Sequence, residues 1–161
     1  MKTYISLRWV GLLSAFIWLA IDQLTKYLAV AHLTSDPVAV IDGIFNLRLA
    51  YNRGVSFSML NGVNIEDLPE ILGIFALVVG VIVIHYMAKH KDRLMYVLSL
   101  GFIAGGAIGN GIDRFNHGAV VDFLDFYYKN WHWPTFNVAD IAIFLGVVLM
   151  LWDAYIEATE S

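Results

Sequence analysis

The residues whose types could do chemistry fall in four stretches: Asp22 with Lys26, Asn110 with Asp113 and Arg114, Asp122 with Asp125, and Asn137 with Asp140. Two carboxylates brought together at a low-dielectric boundary cannot both ionise easily, so one keeps a proton while the other acts as a base. The charged member can take a proton from a water attacking a peptide carbonyl, and the protonated member can polarise that carbonyl and help the amine leave. This is aspartic-protease chemistry. Asp140 is one candidate for such a pair, with Asp122 or Asp125 as the other, and spacing does not choose between those two.

Other chemistries have weaker support. The 161 residues include no cysteine, which removes thiol catalysis, disulfides and thiolate metal sites. Neither an H-E-x-x-H zinc helix nor a G-x-S-x-G elbow is present. Ser56 has no histidine beside it, which leaves a Ser56 and Lys26 pair as the serine alternative. His117 and His132 could join the aspartates around a metal, but their spacing matches no helical ligand pair, which puts metal well behind.

Each acid also has a plain structural reading. Asp22 and Lys26, at i,i+4 on a helix, favour a neutralising ion pair with a snorkelling lysine. Asp113 and Arg114 divide evenly between anchoring a helix end and serving a site. Asp140 has no basic residue within one turn on its own helix, so its partner must come from another segment.

The elements that must position these groups are membrane spans. The chain is 59% hydrophobic and 15% charged, with mean hydropathy +0.67, too apolar for an ordinary soluble domain. A net charge of −4 without a long basic run gives no footprint for nucleic acid. About 20 mostly apolar residues cross a bilayer, and four stretches qualify: 9–31, 71–88, 94–112 and 136–154. The first resembles a signal peptide but has no small-residue cleavage site after it, so it is expected to be a retained span. Residues 1–161 are expected to form a single polytopic membrane domain.

Lys89, Lys91 and Arg93 in a short connector, with Lys2 and Arg8, mark one face as cytoplasmic. Both termini are then inside, and residues 32–70 and 113–135 form outer loops. The opposite face also carries Lys26, Arg48, Arg53, Arg114 and Lys129, spread over longer loops. Phe45, Leu47, Leu49 and Tyr51 alternate with Asn46, Arg48, Ala50 and Asn52, the period of a half-buried strand. Phe123, Phe126, Tyr127, Tyr128, Trp131 and Trp133 predict an aromatic loop lying at the headgroup level. Gly101, Gly105 and Gly109 share one helical stripe and predict close helix packing. The expected fold is therefore a mainly α membrane protein: four transmembrane helices with a small β-sheet platform and an aromatic interfacial loop on the outer face.

This topology delivers all four stretches to the outer face, three at the ends of spans and Asp122 with Asp125 in the loop between the last two. The second span is free of charge, and the inner halves of the others hold none as far as Trp152 in the fourth. That distribution disfavours the main alternative, a small transporter or proton-conducting channel, which needs polar groups at several depths.

Several blocks in order resemble lipoprotein signal peptidase, also called signal peptidase II. They are Asp22-Gln23 with Lys26; Tyr51-Asn52-Arg53-Gly54 with Phe57-Ser58; Gly105-Gly106-Ala107 through Gly109-Asn110 to Asp113-Arg114; Gly118 with Val120-Val121-Asp122-Phe123; and Trp133-Pro134, Phe136-Asn137 and Ala139-Asp140. The resemblance covers most of the chain and implies a catalytic pair at Asp122 and Asp140. It further implies that Asn52, Asn110, Arg114 and Asn137 line the site, with Asp22, Lys26 and Gly106 in support. The implied substrate is a prolipoprotein carrying diacylglyceryl-cysteine, cut just before that cysteine by a protein, expected to be a monomer, that sits among the lipids of the bacterial inner membrane. The resemblance implies no metal or organic cofactor, and it implies sensitivity to globomycin-type cyclic peptides. At Arg53, Val55 and Ser56 the sequence departs from the family's usual block, adding charge and bulk beside the substrate cleft.

Overall fold

The computed structural model describes residues 7–54, 67–89 and 93–160. Lys2, Val55, Ser56, Phe57, Ser58 and Lys91 lie outside the described residues. The element order is α1 (Leu7–His32), β1 (Val38–Ile41), β2 (Phe45–Asn52), α2 (Leu68–Lys89), α3 (Leu94–His117), β3 (Val120–Tyr128), β4 (Trp131–His132) and α4 (Val138–Glu160). All four helices are long and apolar enough to cross a membrane, and large apolar side chains such as Phe16, Phe75 and Phe144 are exposed on the outside of the bundle. That arrangement suits lipid as the surrounding solvent.

α3 is the central helix and packs against α1, α2 and α4. Its glycines make this possible. A Cβ at Gly101 or Gly105 would stand 2.5 Å from the carbonyl oxygen of Gly11 or Ala15 on α1, and one at Gly106 would stand 2.5 Å from that of Ala139 on α4. Backbones approach this closely only where side chains are absent. At the end away from the sheet, Met87, Val97 and Leu100 form a buried apolar cluster.

Pro69 lies in the first turn of α2, where its missing N–H costs no helical bond. α3 runs past the expected end near residue 112, through Asp113 and Arg114, and stops at Gly118. That glycine adopts a left-handed φ of 62° and donates its N–H to the Arg114 carbonyl. The chain then enters β3 directly, so β3 starts within a few residues of the α3 terminus.

The sheet is antiparallel with strand order β1-β2-β3-β4. β2 occupies the expected stretch, but its buried side chain is Asn46, while Tyr51 is half exposed. The aromatic stretch expected as an interfacial loop largely forms β3 and β4 instead. β3 is buried along most of its length, which hides the alternation of an ordinary surface strand. One further departure concerns α4: Asp153, far from the sheet, is buried and paired with Arg93 at the start of α3 at 3.2 Å. Its partner comes from a connector charge that the sequence places only in a loop.

Candidate active site

Asn137 and Asp140 begin α4 with a reciprocal cap. The Asp140 N–H donates to Asn137 Oδ1 at 3.0 Å, and the Asn137 N–H donates to Asp140 Oδ2 at 3.2 Å. This is capping-box geometry, with aspartate in the usual place of glutamate. It satisfies two orphan amides and fixes the Asp140 rotamer at the helix's positive end.

The Asn137 side chain then reaches in the other direction. Its Nδ2 donates to Asp122 Oδ1 at 2.7 Å and to Asn110 Oδ1 at 3.1 Å, while Asn110 Nδ2 donates to Asp140 Oδ1 at 2.9 Å. Two amides on α3 and at the head of α4 thus bridge the Asp122 and Asp140 carboxylates. Asn52 Nδ2 donates to the second Asp122 oxygen at 3.3 Å.

Strand geometry separates Asp122 from Asp125. Three residues apart on β3, they project to opposite faces. Asp122 meets Asn137 and Asn52, whereas Asp125 meets Asn46 and His132. Burial, followed by the nearby charge of Asp140, pushes the Asp122 carboxyl up to about 7, against which the Asn137 and Asn52 amides pull more weakly.

Beneath the two carboxylates lies a buried ionic cluster. Lys26 Nζ contacts Asp22 Oδ2 at 2.9 Å, Asp113 Oδ2 at 2.8 Å and Asn110 Oδ1 at 2.8 Å, which commits its three donors. Asp22 Oδ1 accepts the Ala139 N–H at 2.8 Å, and Asp113 Oδ2 accepts the Val121 N–H at 3.1 Å. Each acid holds the amide immediately before Asp140 or Asp122. Gln23, which spacing alone did not single out, donates to Asp113 Oδ1 at 3.0 Å and to Asp22 Oδ2 at 3.2 Å. Only the packing of α1 on α3 reveals this role.

Arg114 is buried and donates to the Asn110 and Gly54 carbonyls at 3.0 and 3.2 Å, leaving its Nε without a partner. Gly106 lies against Ala139 on α4 and brings that helix close. His117 stands 6.2 Å from the Tyr51 ring while His132 is engaged by Asp125, and among the described residues no group of three or more His, Asp or Glu side chains is arranged to hold a metal.

Above this polar floor opens a cavity of about 670 Å³ between α2 and α4. Asn52, Asn110, Arg114 and Asp140 form its polar end. Leu72, Phe75 and Val79 of α2 and Ile141, Phe144 and Val147 of α4 line its apolar walls, and Trp133 to Phe136 close one side. A segment with an apolar body and a reactive backbone bond at one end fits such a space.

Comparison with known proteins agrees with this architecture. A family model described as signal peptidase (SPase) II matches residues 14–156. A lipoprotein signal peptidase of Ralstonia nicotianae is 39% identical over 145 residues, covering 90% of this chain and 82% of that protein. One from Paraburkholderia phytofirmans is 41% identical over 148 residues, covering 90% and 83%. Among solved structures, a bacterial membrane enzyme determined by the in meso method at 2.3 Å aligns with TM-score 0.80 and 26% identity, covering 94% of this chain and 91% of that one. A second, at 1.9 Å, aligns with TM-score 0.77 and 25% identity, covering 90% and 92%.

Proposed function

The chain belongs to the signal peptidase II family of membrane peptidases, and on that premise we propose that it removes signal peptides from diacylglyceryl-modified prolipoproteins by an aspartic mechanism centred on Asp122 and Asp140. The observation that carries this reading is the Asn110 and Asn137 amide bridge, which links the Asp140 carboxylate at the polar end of an apolar cavity to the buried Asp122 carboxylate of β3.

Asp122, pushed up to about 7, supplies the proton near neutrality. Asp140, which accepts hydrogen bonds from Asn110 and the Asn137 amide, acts as the base. It takes a proton from water as the oxygen attacks the carbonyl before the lipid-bearing cysteine. The Asp122 proton supports the developing oxyanion. Collapse of the tetrahedral intermediate breaks the C–N bond, and the amine leaves with a proton returned from the pair. Arg114 and Asn52, at the cavity's polar end, hold the substrate backbone, and the walls of α2 and α4 take its apolar parts.

In this reading these groups supply both the acid and the base, and the protein acts as a monomer. The dense connector charges Lys89, Lys91 and Arg93 support cytoplasmic termini and an active site at the outer face of the inner membrane.

The test is processing of a diacylglyceryl-modified prolipoprotein by purified wild type, Asp122→Asn and Asp140→Asn in detergent with a metal chelator. Cleavage by wild type, with nearly all activity lost in both folded variants, is the expected result. Normal cleavage by either variant would overturn the aspartic mechanism, and an inert wild type would overturn the assigned substrate.

A further inference from the structure

Asp125 is fully buried yet takes no part in the mechanism above. Its carboxylate gathers groups from both neighbouring strands. From β2 it receives Asn46 Nδ2 at 3.3 Å and faces Arg48 Nε at 3.6 Å; from β4 it meets His132 Nδ1 at 2.9 and 3.1 Å. Tyr127 of β3 stacks on the His132 ring with centroids 5.3 Å apart, and the Tyr127 hydroxyl accepts the Gly43 N–H at 2.8 Å.

β4 has only two residues, so its ladder with β3 gives little support by itself. The chain leaves it directly into Trp133, Pro134, Thr135 and Phe136, the segment that closes one side of the cavity. Trp133 donates its N–H to the Phe126 carbonyl at 2.8 Å, and Phe136 exchanges backbone hydrogen bonds with Leu124. The contact of His132 with the fully buried Asp125 ties β4 to β3 through side chains immediately before this wall begins.

We propose that Asp125, acting through His132, is a positioning residue that sets the stance of the Trp133 to Phe136 wall and thereby the affinity for the lipid-modified end of the substrate. The inference rests on the peptidase reading for the substrate's identity, while the clamp itself can be measured without turnover. Asp125 touches no reacting atom, so its removal acts on substrate binding rather than on the chemical step.

The experiment measures kcat and KM for a diacylglyceryl-cysteine peptide, and equilibrium binding of the same peptide by tryptophan fluorescence. It uses wild type, Asp125→Asn, His132→Ala and His132→Asn. Asp125→Asn and His132→Ala are expected to weaken KM and binding at least about five-fold with kcat held within about two-fold, the signature of lost uniform binding. His132→Asn keeps a donor near the Nδ1 position and is expected to restore most of the affinity. Unchanged binding in both weakened variants, a fall in kcat at constant KM, or no rescue by His132→Asn would each overturn the proposal. Should Asp125→Asn fail to fold, the partly exposed His132 variants decide the matter. A wild type that binds the peptide but never cleaves it counts against the catalytic reading alone, and the binding comparison still judges the clamp.

Discussion

The ammonium of Lys26 lies 2.8 Å from the Asp113 carboxylate and joins α1 to α3 inside the bundle. The same carboxylate holds the Val121 amide next to Asp122, and its counterpart Asp22 holds the Ala139 amide next to Asp140. One buried cation thus pairs with both of the acids that fix the backbone beside the proposed catalytic residues.

Replacing that cation should be costly. Lys26→Met leaves Asp22 and Asp113 buried without their counter-charge, and breaking such a pair costs about 3–5 kcal/mol. We expect a clear drop in thermal unfolding temperature in detergent. Lys26→Met combined with Asp113→Asn should recover part of it, because one stranded charge is then removed. A single variant as stable as wild type would show that the cluster is not a structural centre.

The Asp122 carboxyl, raised to about 7, sets a pH dependence of definite sign. Cleavage requires one proton on the pair, so kcat/KM should fall as pH rises through about 7, with an apparent value belonging to both acids. Stability should move the same way. The folded protein binds this proton more tightly than the unfolded chain, so stability declines as pH climbs from the ordinary carboxyl value of 3.8 toward about 7. Asp122→Asn resembles the protonated acid and should flatten that decline. Thermal unfolding of both proteins at pH 5 and pH 8 checks it: the variant should gain on wild type at the higher pH.

Asn137 combines two duties that one substitution can separate. Serine is also a good N-cap, so Asn137→Ser should keep α4 within about 1 kcal/mol of its stability. It cannot span to Asp122 and Asn110, so activity should drop by at least about ten-fold, equivalent to about 1.4 kcal/mol. Paired measurements of unfolding temperature and cleavage rate test this, and full activity would remove Asn137 from the proposed machinery.

The parts of this protein legible in its sequence are those governed by local periodicity. Four apolar stretches announce four helices, and the Phe45 to Asn52 alternation marks β2. β3 escaped because Val120, Val121, Asp122 and Phe123 are all buried, which erases the two-residue period that reveals a strand. The expected end of α3 falls short because the apolar stretch stops before Asp113 and Arg114. They remain helical because Lys26 and the Gly54 carbonyl receive them inside. Gln23 and the Asp153 pairing with Arg93 depend on how helices meet, which local spacing does not encode. Asn137 and Asp140 stand in the sequence at the start of the fourth span, but their reciprocal cap and the link to Asp122 require the fold.

Phe75 and Phe144 line the cavity and are also exposed on the flank of the bundle, one on each of the two helices that frame the opening. The cavity therefore opens sideways into hydrocarbon rather than only upward into water. For a substrate anchored in the same bilayer, the encounter takes place in two dimensions. The relevant concentration is then molecules per area of membrane, so adding lipid or detergent at constant volume dilutes the substrate, while adding buffer does not.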